Sequence, residues 1–141
     1  MSNDTPVPPF TIPIRVYYED TDTGGVVYYA NYLKFFERCR TEWLRHLGVE
    51  QRHYAEHAQQ MFVVKDVEIQ YRKPARLDDL IEISSVITHL GRASITFHQQ
   101  AVCHGDILCE STIVVCCVNT DTLKPAAFTP ELRTLLEKAK R

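Results

Sequence analysis

Residues 15–32 read RVYYEDTDTGGVVYYANY, a strand-like run followed by an acidic turn and an aromatic run. The β-branched and aromatic residues around Val16 favour an extended strand over residues 10–19. Gly24 and Gly25 end this strand in a turn, because glycine adopts backbone angles that other residues avoid. A long helix is predicted to begin at about Asn31, whose side chain can cap it.

Apolar residues recur every three or four positions after Asn31, which is typical of a helix packed against a core. The predicted apolar face consists of Tyr32, Leu33, Phe35, Phe36, Cys39, Trp43, Leu44 and Leu47. The predicted solvent-exposed face consists of Lys34, Glu37, Arg38, Arg40 and Arg45. Gly48 is expected to end the helix.

The rest of the chain reads as a short helix and then a run of strands with short connections. The helix is predicted at residues 51–58, the strands at residues 61–71, 80–89, 94–104 and 107–118, and a last helix at residues 131–140. Successive strands joined by tight turns pair antiparallel. The sequence therefore predicts an α+β fold in which one long helix packs on a five-stranded antiparallel sheet.

At 141 residues the chain is expected to form a single domain, 1–141, with a flexible N-terminal arm at residues 1–10 and a helical tail at residues 129–141. A net charge of −2 argues against a nucleic-acid binder. The first residues do not resemble a signal peptide, and no apolar run is long enough for membrane insertion. Five cysteines without a CxxC pair indicate reduced thiols and a cytoplasmic protein. An exposed sheet edge predicts self-association.

Asp20 and Asp22 are the candidate chemical groups, and two interpretations stay open. Each can simply cap its turn by accepting hydrogen bonds from backbone N–H groups. Alternatively, a carboxylate just ahead of a helix N-terminus can act as base or nucleophile, while the free N–H groups there stabilise an oxyanion. A calcium loop starting at Asp20 is incomplete, because its twelfth position is Asn31 where glutamate is needed.

Two further clusters have a functional and a plain interpretation. His53, Glu56 and His57 match an H-x-x-E-H zinc pattern, but they also suit a polar helix exterior, and no third ligand is evident. We therefore predict no metal. The basic cluster Arg72, Lys73 and Arg76 is either a solvated loop or a phosphate-binding surface.

Residues 15–32 resemble the signature of the 4-hydroxybenzoyl-CoA thioesterase family of hotdog-fold proteins. The matching residues are Arg15, Val16, Thr21, Asp22, Gly25, Val26, Val27, Tyr28, Asn31 and Tyr32. Further segments are similar to the YbgC-like subgroup, which is associated with the Tol-Pal system. They are residues 16–22, 24–28, 37–38, 40–42, 74–79 and 115–118, and the similarity covers about residues 12–135.

The resemblance implies a curved sheet wrapped around the long helix and an acyl-CoA thioesterase activity. It places the catalytic groups at Asp22 and at the backbone N–H of Tyr29. It places substrate-binding positions at Tyr18, Gly25, Val26, Val27, Tyr28 and Asn31. Arg72, Lys73 and Arg76 become candidates for the phosphates of CoA, which enters only as part of the substrate, with no separate cofactor.

The resemblance also implies a homo-oligomer, formed by joining sheets into a dimer and further into a tetramer, with active sites at the subunit interface. Many YbgC-like proteins carry histidine where this chain has Tyr29. An oxyanion role needs only the main-chain donor, so tyrosine is compatible with it.

Three other functions stay open at this point. A non-hydrolytic acyl-CoA or acyl-carrier-protein binding protein, acting through envelope partners, would not need Asp22. A hotdog dehydratase would need a histidine base, and His46 and His53 come after the turn. A zinc hydrolase would need the H-x-x-E-H residues.

Overall fold

The computed structural model describes residues 8–140 of the chain. Residues 1–7 of the predicted arm and Arg141 of the predicted tail lie outside the described residues. Phe10 begins the first strand, as predicted for residues 10–19. No helix among residues 8–140 combines the length and apolar character needed to cross a membrane.

Five strands form one antiparallel sheet, and helices cover it, which confirms the predicted α+β fold. The strands are β1 (Phe10–Arg15), β2 (Gln60–Tyr71), β3 (Leu80–Leu90), β4 (Ser94–Cys103) and β5 (Asp106–Asn119), in the spatial order β1-β3-β4-β5-β2. The helices are α1 (Asn31–His46), α2 (Gln51–Ala58) and α3 (Pro130–Ala139), with a 3-10 turn at Tyr18–Asp20. The long helix α1 contacts β3, β1 and β4.

The core lies between α1 and the inner face of the sheet. On β4 every second residue is buried, as period-2 alternation predicts, and these residues are Ile95, Phe97, Gln99, Ala101 and Cys103. From α1 the buried aromatic rings are Tyr32, Phe35, Phe36 and Trp43. The last helix, α3, closes the core with Leu132, Leu136 and Ala139.

The first strand is shorter than predicted, because β1 ends at Arg15 rather than at residue 19. The Asp20 carboxylate accepts the backbone N–H of Tyr17 at 2.8 Å, and this bond closes the 3-10 turn that follows. The exposed side chain of Tyr18, 81% accessible, lies on this turn instead of on a strand face. The β-favouring run of residues 16–18 is therefore overridden by a local side-chain cap.

Two positions on α1 contradict the predicted faces. Leu33 is exposed, and Arg40 is buried with 9% of its surface accessible. The Arg40 guanidinium donates to Gln99 Oε1 at 2.9 Å and lies over the Phe97 ring at 5.9 Å. Gln99 Nε2 in turn donates to the Phe36 carbonyl at 3.0 Å. Burial lowers the pKa of Arg40, yet the group stays charged because its ordinary value is so high.

The Arg40–Gln99 pair is expected to be strongly coupled. Gln99→Leu removes the only side-chain acceptor that Arg40 has among residues 8–140, so it should destabilise the protein by about 2 to 4 kcal/mol. Arg40→Met with Gln99→Leu should cost less than the sum of the two single changes, because no buried group is then left unpaired. Urea unfolding at fixed protein concentration measures all three.

Arg52→Met is the matched control, since Arg52 has an 85% exposed side chain on α2. It should change the unfolding free energy by no more than about 0.5 kcal/mol. Strictly additive costs for Arg40 and Gln99 would contradict the coupling.

Candidate active site

The segment between β1 and α1 folds back on itself as a narrow loop. Thr21 and Val27 form an antiparallel bridge, and the Asp22 N–H donates to the Val26 carbonyl at 3.0 Å. The Gly25 N–H closes the loop onto the Asp22 carbonyl at 3.0 Å. Gly25 has φ +77°, a left-handed conformation that favours glycine. Asp22 is thereby held opposite Val26, a few residues before α1.

Asp20 is the buried member of the aspartate pair. Its Oδ2 accepts the Tyr17 N–H at 2.8 Å, and its Oδ1 accepts the Asn31 side-chain amide at 2.7 Å. The Asp20 carbonyl also accepts the Tyr28 N–H at 2.9 Å. Both carboxylate oxygens are therefore occupied by the protein, which makes Asp20 a positioning residue for the loop.

Asp22 is exposed and only partly occupied. Its Oδ1 accepts the Gly24 N–H at 2.9 Å, so it does cap its own turn. Its Oδ2 has no hydrogen-bond partner among residues 8–140. The turn-capping and the chemical interpretations of Asp22 are thus compatible, because one oxygen fixes the turn and the other stays available.

The helix start differs from the predicted cap. The capping position is Ala30, and Asn31 is the first helical residue, with its side chain directed to Asp20. In the described chain the backbone N–H groups of Tyr29 and Ala30 have no acceptor. Free N–H groups at a helix N-terminus carry partial positive charge. They are suited to polarise a carbonyl oxygen.

Tyr71 fixes this N-terminus from the sheet. Its hydroxyl donates to the Tyr29 carbonyl at 3.0 Å, and the two ring centroids are 5.7 Å apart. Burial raises the pKa of Tyr71, and it raises the pKa of Tyr32 to about 12. Both phenols are therefore neutral near pH 7 and take no part as anions. Tyr71 ends β2, 42 residues from Tyr29, and no spacing in the sequence indicates their contact.

The predicted substrate-binding positions separate into surface and interior groups. Tyr18, Gly25 and Tyr28 are exposed, and Val26 is half-buried. Val27 is buried in the core, and Asn31 is buried against Asp20. The first four positions, Tyr18, Gly25, Tyr28 and Val26, are therefore accessible to a ligand. Val27 and Asn31 instead support the loop from inside.

The basic cluster is not uniformly available for phosphate. Arg72 pairs with Glu110 at 2.6 Å, and Lys73 pairs with Asp106 at 3.2 Å. Arg76 is exposed and makes no ion pair among residues 8–140. Arg76 also forms an antiparallel bridge with Val26. Of the three candidates, Arg76 combines a free guanidinium with a position beside the loop of Asp22.

The alternative histidine site is located on the exposed helix α2. The His53 and His57 rings stack at 3.9 Å, and His57 Nδ1 lies 3.0 Å from the His53 carbonyl oxygen. Within residues 8–140 no third histidine, cysteine or carboxylate ligand joins them. This arrangement does not support a zinc hydrolase centre at the H-x-x-E-H motif.

Comparisons with known proteins identify the family of the chain. The model of the thioesterase superfamily matches residues 24–110. The acyl-CoA thioesterase YbgC of Haemophilus influenzae is 44% identical over 131 residues, covering 93% of this chain and 96% of the relative. The YbgC protein of Helicobacter pylori, also named an acyl-CoA thioesterase, is 34% identical and covers 86% of this chain and 96% of the relative.

A crystal structure from Bartonella henselae, described as a probable thioesterase, superimposes with a TM-score of 0.83. It is 33% identical and covers 86% of this chain and 100% of that chain. The predicted hotdog fold and the predicted family are confirmed by these likenesses. The family model covers more than half of the chain and includes the loop from Gly24 onward. This chain belongs to the thioesterase superfamily.

Proposed function

We propose that the protein hydrolyses acyl-CoA thioesters to a free acid and CoA at the loop between β1 and α1. The observation that carries this proposal is the pairing of two available groups on one loop. Within residues 8–140, Asp22 offers a carboxylate oxygen without a partner, and Tyr29 offers a backbone N–H without an acceptor. CoA enters as part of the substrate, and no separate cofactor is needed.

The chemistry follows from these two groups. The N–H of Tyr29 donates a hydrogen bond to the thioester oxygen and stabilises the negative charge that develops there, at the positive end of α1. Asp22 either removes a proton from an attacking water or attacks the carbonyl carbon itself. In the second route a mixed anhydride forms as the CoA thiolate leaves, and water then opens it. A thiolate is a good leaving group, so no separate acid is required.

We also propose that the active unit is a homodimer joined through β2. This strand lies at an edge of the sheet, and its side chains Val63, Val64 and Val67 are exposed. A long edge strand with exposed apolar side chains is normally covered in a stable protein. Asp22, Tyr18 and Tyr29 are also exposed in the single chain, which fits a site completed by a second copy. The tetramer stays a prediction.

Asp22→Asn should lower kcat by at least about a hundredfold with folding preserved, because it removes the base or nucleophile. The asparagine oxygen can still accept the Gly24 N–H, so the turn should be retained. Thiol release from a panel of short, long-chain and benzoyl-CoA substrates measures the effect and identifies the preferred acyl class.

Asp20→Asn is the matched comparison two residues away. It should lower the unfolding free energy by about 1 to 3 kcal/mol. The two carboxylate oxygens accept different donors, one from Tyr17 and one from Asn31, and the amide nitrogen that replaces one oxygen cannot accept a hydrogen bond. Full turnover by Asp22→Asn would disprove the catalytic role. Tight acyl-CoA binding without thiol release from the wild type would instead support a binding protein.

Arg76→Gln should raise KM for acyl-CoA roughly tenfold with little change in kcat, because it removes one charged hydrogen bond to a phosphate. The same acyl group on a short thiol without phosphates should be hydrolysed equally by variant and wild type. Arg92→Gln, at an exposed arginine in the β3–β4 connection, is the control and should leave both substrates unaffected. An unchanged KM for acyl-CoA would exclude Arg76 as the phosphate ligand.

Val64→Lys combined with Val67→Lys should convert the dimer to a monomer. The two lysines of each chain would place four unpaired charges in the buried dimer interface. Sedimentation velocity measures the assembly, and turnover should fall with it. Leu123→Lys, at a 61% exposed loop position, is the control and should remain dimeric. A monomeric variant with full turnover would show that one chain holds the whole site.

A further inference from the structure

A cluster of three metal-ligand side chains lies at the turn between β4 and β5, apart from Asp22 and Tyr29. The ligand atoms of Asp79, Cys103 and His104 all lie within 4.8 Å of one another. They are the only group of three or more such side chains that residues 8–140 bring together. The cluster contains one carboxylate, one thiol and one imidazole.

The hairpin geometry explains why neighbouring residues share this cluster. Cys103 and Asp106 form the last pair of the β4–β5 ladder, and His104 and Gly105 form the two-residue turn. Both turn residues have positive φ, at +51° and +80°. Adjacent strand residues point to opposite faces, but the left-handed His104 departs from that alternation. Its imidazole consequently lies beside the Cys103 sulfur.

A hydrogen bond from a backbone N–H orients the Asp79 side chain toward the cluster. It immediately precedes β3, and its Oδ2 accepts the Arg76 N–H at 2.9 Å. Its other oxygen, Oδ1, lies 4.0 Å from His104 Nε2. An outer hydrogen bond that fixes one carboxylate oxygen and leaves the other for the ion is the usual arrangement around protein metal ligands.

The charge balance around the cluster favours a cation. Two carboxylates lie near the Cys103 thiol, that of Asp79 within the cluster and that of Asp106 at the paired position of the ladder. Lys73 lies 3.2 Å from the Asp106 carboxylate and partly neutralises it, so the Asp79 carboxylate supplies the negative charge of the cluster. The buried Cys103 sulfur makes no hydrogen bond within the described chain, so it is free to bind an ion.

We propose that Asp79, Cys103 and His104 form a binding site for Zn²⁺. Thiolate, imidazole and carboxylate together are a typical zinc ligand set. Zinc–ligand bonds of about 2.0 to 2.3 Å place tetrahedral ligand atoms about 3.6 Å apart, so the cluster needs to contract by only about 1 Å. His104 is exposed and borders a surface cavity of about 560 Å³, which leaves the fourth position to water.

The ion would add a link between the β4–β5 turn and the segment that precedes β3, next to the existing β3–β4 ladder. Cys103 and His104 belong to the β4–β5 turn, whereas Asp79 ends the segment whose Arg76 pairs with Val26. Binding to the folded state alone stabilises it by RT ln(1 + c/Kd), where c is the concentration of free Zn²⁺. The expected role is therefore to hold the segment behind the loop of Asp22 against the sheet.

Zinc binding is tested on the full chain with any affinity tag removed, after chelator treatment under a phosphine reductant. Competition with a chromophoric chelator should give one zinc per chain, and Co²⁺ should give a thiolate-to-metal charge-transfer band. His104→Asn should lower zinc affinity at least about tenfold. Asparagine adopts the left-handed conformation readily, so this variant keeps the hairpin. Cys103→Ser should abolish the Co²⁺ band.

Two control variants separate this site from other thiols and imidazoles. Cys116→Ser changes a half-buried cysteine of β5, and His57→Asn removes one of the stacked histidines of α2. Both should bind zinc as the wild type does, and zinc should raise their Tm by more than it raises the Tm of His104→Asn. The proposal is overturned if the wild type binds no zinc, if His104→Asn binds it equally well, or if His57→Asn is the variant that loses it.

Discussion

The loop between β1 and α1, the candidate active site, depends on the hydrogen bonds that the buried Asp20 carboxylate accepts. A charged group without partners is costly to bury, and Asp20 is compensated by donors from two directions. The Tyr17 N–H reaches it from the 3-10 turn, and the Asn31 amide reaches it from the first turn of α1. The two ends of the loop are thereby fixed to one carboxylate. Asp22 and Tyr29 both lie between these ends, so their relative position follows from Asp20.

The sequence predicted the elements better than the orientation of individual side chains. Periodicity identifies α1, because apolar spacing is a local property that α1 keeps along its whole length. Arg40 was nonetheless assigned to the wrong face, since its burial depends on Gln99 of β4, 59 residues away. Leu33 is exposed for the converse reason, as no element of the described chain covers that side of α1. Local pattern does not contain this information.

The different environments of Asp20 and Asp22 show the same limit of sequence-based prediction within one short segment. Both aspartates precede the glycines of the loop, and turn chemistry suits either of them. The 3-10 turn decides which is buried, and that turn replaced the strand predicted through residue 19. The resemblance to the thioesterase signature implies that Asp22 is the catalytic position. The structure adds the physical distinction, which is a free oxygen on Asp22 and none on Asp20.

Exposure of the catalytic loop sets a further requirement on the molecule. A backbone N–H stabilises a developing oxyanion weakly in water, where the effective dielectric constant is high, and far more strongly in a water-excluded site. Two hydrogen bonds hold the inner side of the loop. The Val27 N–H donates to the Ala75 carbonyl at 2.8 Å, and the Tyr71 hydroxyl donates to the Tyr29 carbonyl. Nothing in the described chain covers its front, where Asp22 and Tyr29 are exposed. Efficient catalysis by the proposed groups would therefore require a covering surface that residues 8–140 do not supply, and the proposed dimer through β2 is the candidate for that surface.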